Sequence, residues 1–123
     1  HAQFRRQRQM CIRDSGRGGQ EIIDNLKVGC KGIIPATEMS DYFIKIYNLL
    51  EQNKEERALK IYKNILPGIV FVMQSIDTLI CYGKRVLAHR MGIKEVYDRQ
   101  PFLEVTKYGN NISKIIAKNL GSF

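Results

Sequence analysis

The chain is expected to be mostly α-helical with one short β-strand. From Thr37 onward, every periodic apolar segment repeats at helical spacing. Before it, Cys30 to Thr37 is a brief apolar run bounded by Gly and Pro, too short for a helix and suited to a buried strand ending at Pro35. With 123 residues, 44% hydrophobic and 26% charged, one compact core is attainable and a low-complexity or disordered chain is excluded.

The elements follow in order. Gly16-Arg17-Gly18-Gly19 signals a turn, and Gln20 to Val28 places Ile22, Ile23 and Leu26 on one helical face, with Gly29 as the residue that ends it. The strand comes next, at Lys31 to Pro35. Thr37 or Ser40 can cap a helix carrying Phe43, Ile46, Tyr47 and Leu50, and Asn53 with Glu56 three residues later reads as the start of a second helix carrying Leu59, Tyr62 and Leu66. Pro67 suits the first turn of a third helix, about 36 Å long at 1.5 Å per residue, whose apolar positions Ile69, Val72, Met73, Ile76, Leu79, Ile80, Val86 and Leu87 continue until Gly92. Gln74, Asp77, Lys84 and Arg85 interrupt its apolar character, so it reads as a packed helix and not a membrane span. Ile93 to Tyr108, with Pro101, reads as an ordered surface loop, and a last helix from Asn111 to Asn119 turns Ile112, Ile115 and Ile116 inward.

Composition narrows the function classes. The start of the chain lacks the apolar core of a signal peptide and no run of about 18 apolar residues occurs, so a cytoplasmic location without membrane association is expected. Cys11, Cys30 and Cys81 form no C-x-x-C pair, which argues for reduced thiols over a disulfide framework or a zinc site. The net charge of +8 invites a nucleic-acid reading, yet four arginines against one aspartate place a net +3 of it in residues 1–15. No nucleic-acid partner is expected.

Residues 5–15, RRQRQMCIRDS, match the conceptual translation of a transposon-end sequencing adaptor. Residues 1–15 are therefore expected to be non-native and disordered, and the rest to be the carboxyl-terminal piece of a larger protein.

Several residues invite chemistry, each with an ordinary alternative. His89 stands alone near a helix end, without a spaced partner to make it a base. Lys84 sits in a mostly apolar helix where desolvation would favour a Schiff-base amine, although a snorkelling lysine explains it as well. Asp77 lies three residues from Gln74 and seven from Lys84, a spacing that allows structural pairing on one face. Gly16-Arg17-Gly18-Gly19 could cradle a phosphate before the following helix, but it lacks the Lys-Ser/Thr end of a phosphate loop.

Three strings fall in order along the chain: Gly-x-Gly-Gly before a helix, then Gly29-Cys30-Lys31-Gly32-Ile33-Ile34, then a helix hairpin with Ala58 and Leu66-Pro67. Lys84, Gly92 and Arg99-x-Pro101 follow. Taken together, Gly16 to Phe102 resembles the carboxyl-terminal third of the dihydrodipicolinate synthase and N-acetylneuraminate lyase family, class I pyruvate-type aldolases on a (β/α)8 barrel. The resemblance implies that residues 16–52 are the last βα part of the barrel and residues 53–123 the family's helical extension. It further implies a Schiff-base lyase acting on pyruvate or a related 2-oxo acid, with no cofactor, in a dimeric or tetrameric parent.

By the same resemblance Gly18, Gly19, Ile34, Pro35 and Ala36 line the substrate pocket, at the barrel end where such enzymes place their active sites. The Schiff-base lysine and proton-relay tyrosine would lie upstream of Gly16, so this chain carries no catalytic residue and is expected to be inactive alone. Lys84 matches a family lysine that is not the nucleophile. Pro35 departs from the serine or glycine usual there, which leaves the substrate open. From a different class, a small non-catalytic helical interaction module is the alternative.

Overall fold

The computed structural model describes Asp14, Ser15 and residues 17–123; the expectations for residues 1–13, Cys11 among them, and for Gly16 lie outside the described residues. Two short strands, β1 (Asp14–Ser15) and β2 (Gly32–Ile33), flank the helix α1 (Ile22–Lys27). The hairpin α2 (Ser40–Glu51) and α3 (Glu55–Val72) follows. A second helical run consists of α4 (Ile76–Thr78), a π-helical segment Leu79–Gly83 and α5 (Lys84–Met91), and α6 (Lys107–Leu120) closes the chain.

One short strand was expected; β2 instead pairs in parallel with a second, β1, Asp14 opposite Gly32 and Ser15 opposite Ile33, where disorder was expected for Asp14 and Ser15. The strand–helix–strand unit is therefore present. Among the described residues β2 covers Gly32–Ile33 and is shorter than the expected Lys31 to Pro35.

Four helical expectations are corrected. Asn53 does not cap α3: it sits in the left-handed region at φ 57°, and the helix begins two residues later with no side-chain cap. Pro67 is inside α3 and not at the start of a new helix. This is tolerated because Pro67 and Lys63, whose carbonyl loses the usual i→i−4 donor, are both exposed. The break comes after Val72, where Ser75 accepts from the Thr78 amide at 3.0 Å while Thr78 Oγ1 accepts from the Ser75 amide at 2.8 Å, and the chain bends by 108°. Faces also differ from expectation: Ile80 is 56% and Ile115 54% exposed, and in α6 the buried positions are Gly109, Ser113 and Ala117.

The core has two parts. Ile22, Ile23, Met39, Phe43, Ile46, Ala58, Ile65 and Ile69 form one, and Val72, Cys81, Tyr82, Val86 and Ala117 the other. Met73, Ile116 and Leu120 pack against both, so α6 joins them. Glycine permits two close approaches: a Cβ at Gly68 would lie 2.8 Å from Met39 Cε, and one at Gly109 would fall on the Tyr82 ring. Thr106 caps α6 through the Gly109 amide at 2.9 Å.

Among the described residues, no single helix is long and apolar enough to cross a membrane; α3 with the following helical run passes that test only as a sharply bent pair.

Candidate functional site

Parallel pairing puts the residues that follow β1 and β2 at the same end of the sheet. Arg17–Gly19 forms a tight 3-10 turn after β1, and Ile34, Pro35 and Ala36 follow β2 before a second such turn at Thr37–Met39. All five sequence-predicted site residues therefore lie at the carboxyl ends of parallel strands, the end at which α/β folds bind ligands.

They are not gathered into one pocket. Gly18 and Gly19 have φ of 62° and 80°, and a Cβ on Gly18 would come 2.5 Å from Met73 Sδ, while one on Gly19 would strike the Phe43 ring. Backbone conformation and packing thus account for both glycines, with no phosphate needed. Ile34 is 70% exposed. Pro35 borders a groove of about 380 Å³ with Lys31, Ile33, Phe43, Ile44 and Tyr47. Ala36 instead borders a separate recess, also about 380 Å³, between the Thr37–Met39 turn and the π-helical segment.

That recess contains a residue for which the sequence offered no signal beyond its place after Pro35-Ala36-Thr37. Glu38 is 6% exposed, and burial pushes its carboxyl above the ordinary carboxylate range, a shift its own backbone amide opposes by hydrogen bonding. The Glu38 carbonyl accepts a hydrogen bond from Arg90.

Lys84 lines the recess from the other side. Its Nζ lies 2.5 Å from Asp98 Oδ1 and donates to the Tyr97 carbonyl at 2.7 Å. Arg85 completes the cluster with Nη2 2.5 Å from Asp98 Oδ2 and Nη1 3.3 Å from Oδ1. Hydrogen bonds from Arg85 and then Lys84 hold the Asp98 carboxyl down at about 2. Lys84 so engaged is an ion-pair partner, whereas an imine-forming lysine needs its amine free to attack a carbonyl. The partner of Lys84 is Asp98, 14 residues distant in an irregular loop, and not Asp77. No local spacing rule reaches that far.

The remaining candidates have structural surroundings. His89 Nε2 lies 3.4 Å from the Asn110 amide oxygen. Cys30 and Cys81 are buried, and burial pushes the Cys81 thiol up. Among the described residues no three His, Cys, Asp or Glu side chains are placed to hold a metal ion.

No family model and no curated protein matches this chain. Among solved structures, it is similar to the crystal structure of dihydrodipicolinate synthase from Rhodopseudomonas palustris, with a TM-score of 0.75 and 20% identity over 85% of this chain. The match covers 34% of that structure, so this chain spans about a third of its length. The likeness is one of fold. It matches the mostly helical chain to the carboxyl-terminal βα part of a (β/α)8 barrel with its helical extension.

Proposed function

We propose that the chain is the carboxyl-terminal part of a Schiff-base-forming lyase or aldolase that acts on pyruvate or a related 2-oxo acid. The observation that carries this reading is the position of Ile34, Pro35 and Ala36 just beyond the carboxyl end of a strand in a fold similar to that of a dihydrodipicolinate synthase. In the whole enzyme a lysine from an upstream strand forms the imine, a neighbouring tyrosine relays the proton, and no cofactor takes part. Gly18, Gly19, Ile34, Pro35 and Ala36 form part of the substrate wall. The whole protein assembles as a dimer or tetramer.

This chain alone is inactive, since neither catalytic group lies within it. Borohydride reduction in the presence of pyruvate tests the reading. The chain's mass should stay unchanged, whereas a longer protein carrying the upstream barrel strands should gain one pyruvate adduct on a lysine preceding Gly16. An adduct on Lys84, or none on the longer protein, overturns it.

A further inference from the structure

A recess of about 360 Å³, apart from the two described above, lies where the carboxyl ends of α5 and α6 meet. Its lining is basic. His89 and Arg90 come from the last turn of α5, Lys114 and Lys118 from α6, and Gly121 and Ser122 from the residues that follow. No Asp or Glu borders it. The sequence here is one-sided as well, since Val105 to Phe123 holds three lysines and no acidic residue.

Lysines near a helix end ordinarily serve its unpaired carbonyls. Here protein donors already reach them: the amides of Ile93, Gly92 and Phe123 donate to the Ala88, His89 and Arg90 carbonyls, and the Gly121 amide and Tyr42 hydroxyl donate to those of Ala117 and Leu120. Lys114 and Lys118 have no hydrogen bond or ion pair among the described residues. Four residues apart on one helix face, they repel each other, and a bound anion relieves that repulsion.

The donors determine which anion fits. Arg90 is wholly buried, but its fork is taken by Asp41 and its Nε by the Gly121 carbonyl. The flat, two-pronged recognition that suits a carboxylate is therefore already spent. What remains is two ammoniums, each with three donors that rotate freely, and the Ser122 hydroxyl, a set that suits a tetrahedral oxyanion. Two uncompensated positive charges match a dianion. We propose that this recess binds a phosphate dianion, as the free ion or as a small monoester, through Lys114, Lys118 and the Ser122 hydroxyl. None of the residues of the proposed substrate wall borders it, and it does not rest on the lyase reading.

Amide NMR of the 123-residue chain tests this by titration with inorganic phosphate at constant ionic strength. Saturable shifts are expected at Lys118, Gly121 and Ser122, with none at Ile22 or Ile46 in the first core. Malonate, a dianion of planar carboxylates, should bind about threefold more weakly. Lys114→Gln and Lys118→Gln should each weaken phosphate about twofold to fivefold, and together about fivefold to twentyfold, the scale of exposed ion pairs. Both lysines are exposed, so neither change disturbs the fold. Lys60→Gln, at an exposed lysine of α3, should leave the affinity unchanged. Glycerol 3-phosphate separates the two sources: tighter binding than inorganic phosphate marks a monoester as the ligand, and looser binding the free ion. The proposal is overturned by shifts that grow without saturation, by shifts that chloride reproduces at the same ionic strength, by malonate binding as tightly as phosphate, or by an affinity that the Lys114→Gln/Lys118→Gln double variant leaves unchanged.

Discussion

Arg90 and Asp41, 49 residues apart in sequence, form a bidentate pair with Nη1 2.9 Å from Oδ1 and Nη2 2.7 Å from Oδ2. The Arg90 guanidinium is wholly buried, while the Asp41 side chain is 30% exposed. Arg90 also donates to the Glu38 and Gly121 carbonyls and lies over the Tyr42 and Phe123 rings. One side chain thus ties α5 to α2, to the Thr37–Met39 turn and to the residues after α6.

Removing the Asp41 charge leaves a buried cation unpaired, so Asp41→Asn should destabilise the chain by about 3 kcal/mol in urea unfolding. Adding Arg90→Met should recover part of that loss, because the double variant has no buried charge to strand. A double variant less stable than Asp41→Asn would show that Arg90 acts chiefly through its two carbonyl contacts.

Acid should loosen the loop at 93–106 before alkali does. The folded Asp98 carboxyl titrates at about 2, below its ordinary 3.8, so the clamp's stability is fully present above pH 3.8 and lost as pH falls toward 2. Asp41 is lowered as well, chiefly by its hydrogen bond from Arg90, and acts in the same direction. Hydrogen exchange of the loop amides should accelerate through this window. Asp98→Asn should cost about 1–2 kcal/mol and flatten the pH response of that loop. An unchanged response in the variant would assign the acid sensitivity to another group.

Pro67→Ala distinguishes a helix that runs through this residue from one that starts at it. An interior proline costs about 3 kcal/mol, offset in part by about 1 kcal/mol of reduced freedom in the unfolded chain, so the replacement should stabilise by about 1–2 kcal/mol. A neutral or destabilising result in thermal unfolding would restore the helix start at Pro67.

Gly109→Ala should destabilise by about 1–3 kcal/mol despite alanine's better helix propensity, because its methyl would meet the Tyr82 ring. Trimming that ring in Gly109→Ala/Tyr82→Leu should make the alanine cheaper than it is alone. A double-mutant cycle with no coupling would remove the close approach as its cause.

Helix identity was legible where one face repeats, as with Phe43 and Ile46 in α2, since burial of that stripe alone selects the period. Boundaries were less so. Pro67 marks a helix start in most contexts, and only its exposure in the folded chain lets α3 continue; the true break depended on Ser75 and Thr78 capping each other, a polar signal set among apolar residues. Ile115 has helical spacing yet faces outward, because Gly109, Ser113 and Ala117 are the small residues that allow α6 to approach. At the candidate site, the position of residues 34–36 at the carboxyl end of a strand was readable from the Gly and Pro around it, but not that the strand stops at Ile33. Lys84 with Asp98, and Glu38 beneath Gly83, were not, because each depends on separate segments meeting in space.

α6 completes both halves of the core, and this has a consequence for how the chain is made. Tyr42 in α2 donates its hydroxyl proton to the Leu120 carbonyl at 2.5 Å across 78 residues of sequence. At a ribosomal pace of about 5–20 residues per second, α2 leaves the ribosome about 4–16 s before its partner exists. During that interval the apolar faces meant for Ile116, Ala117 and Leu120 are open in the nascent chain, so aggregation or chaperone capture competes with folding until the last helix arrives.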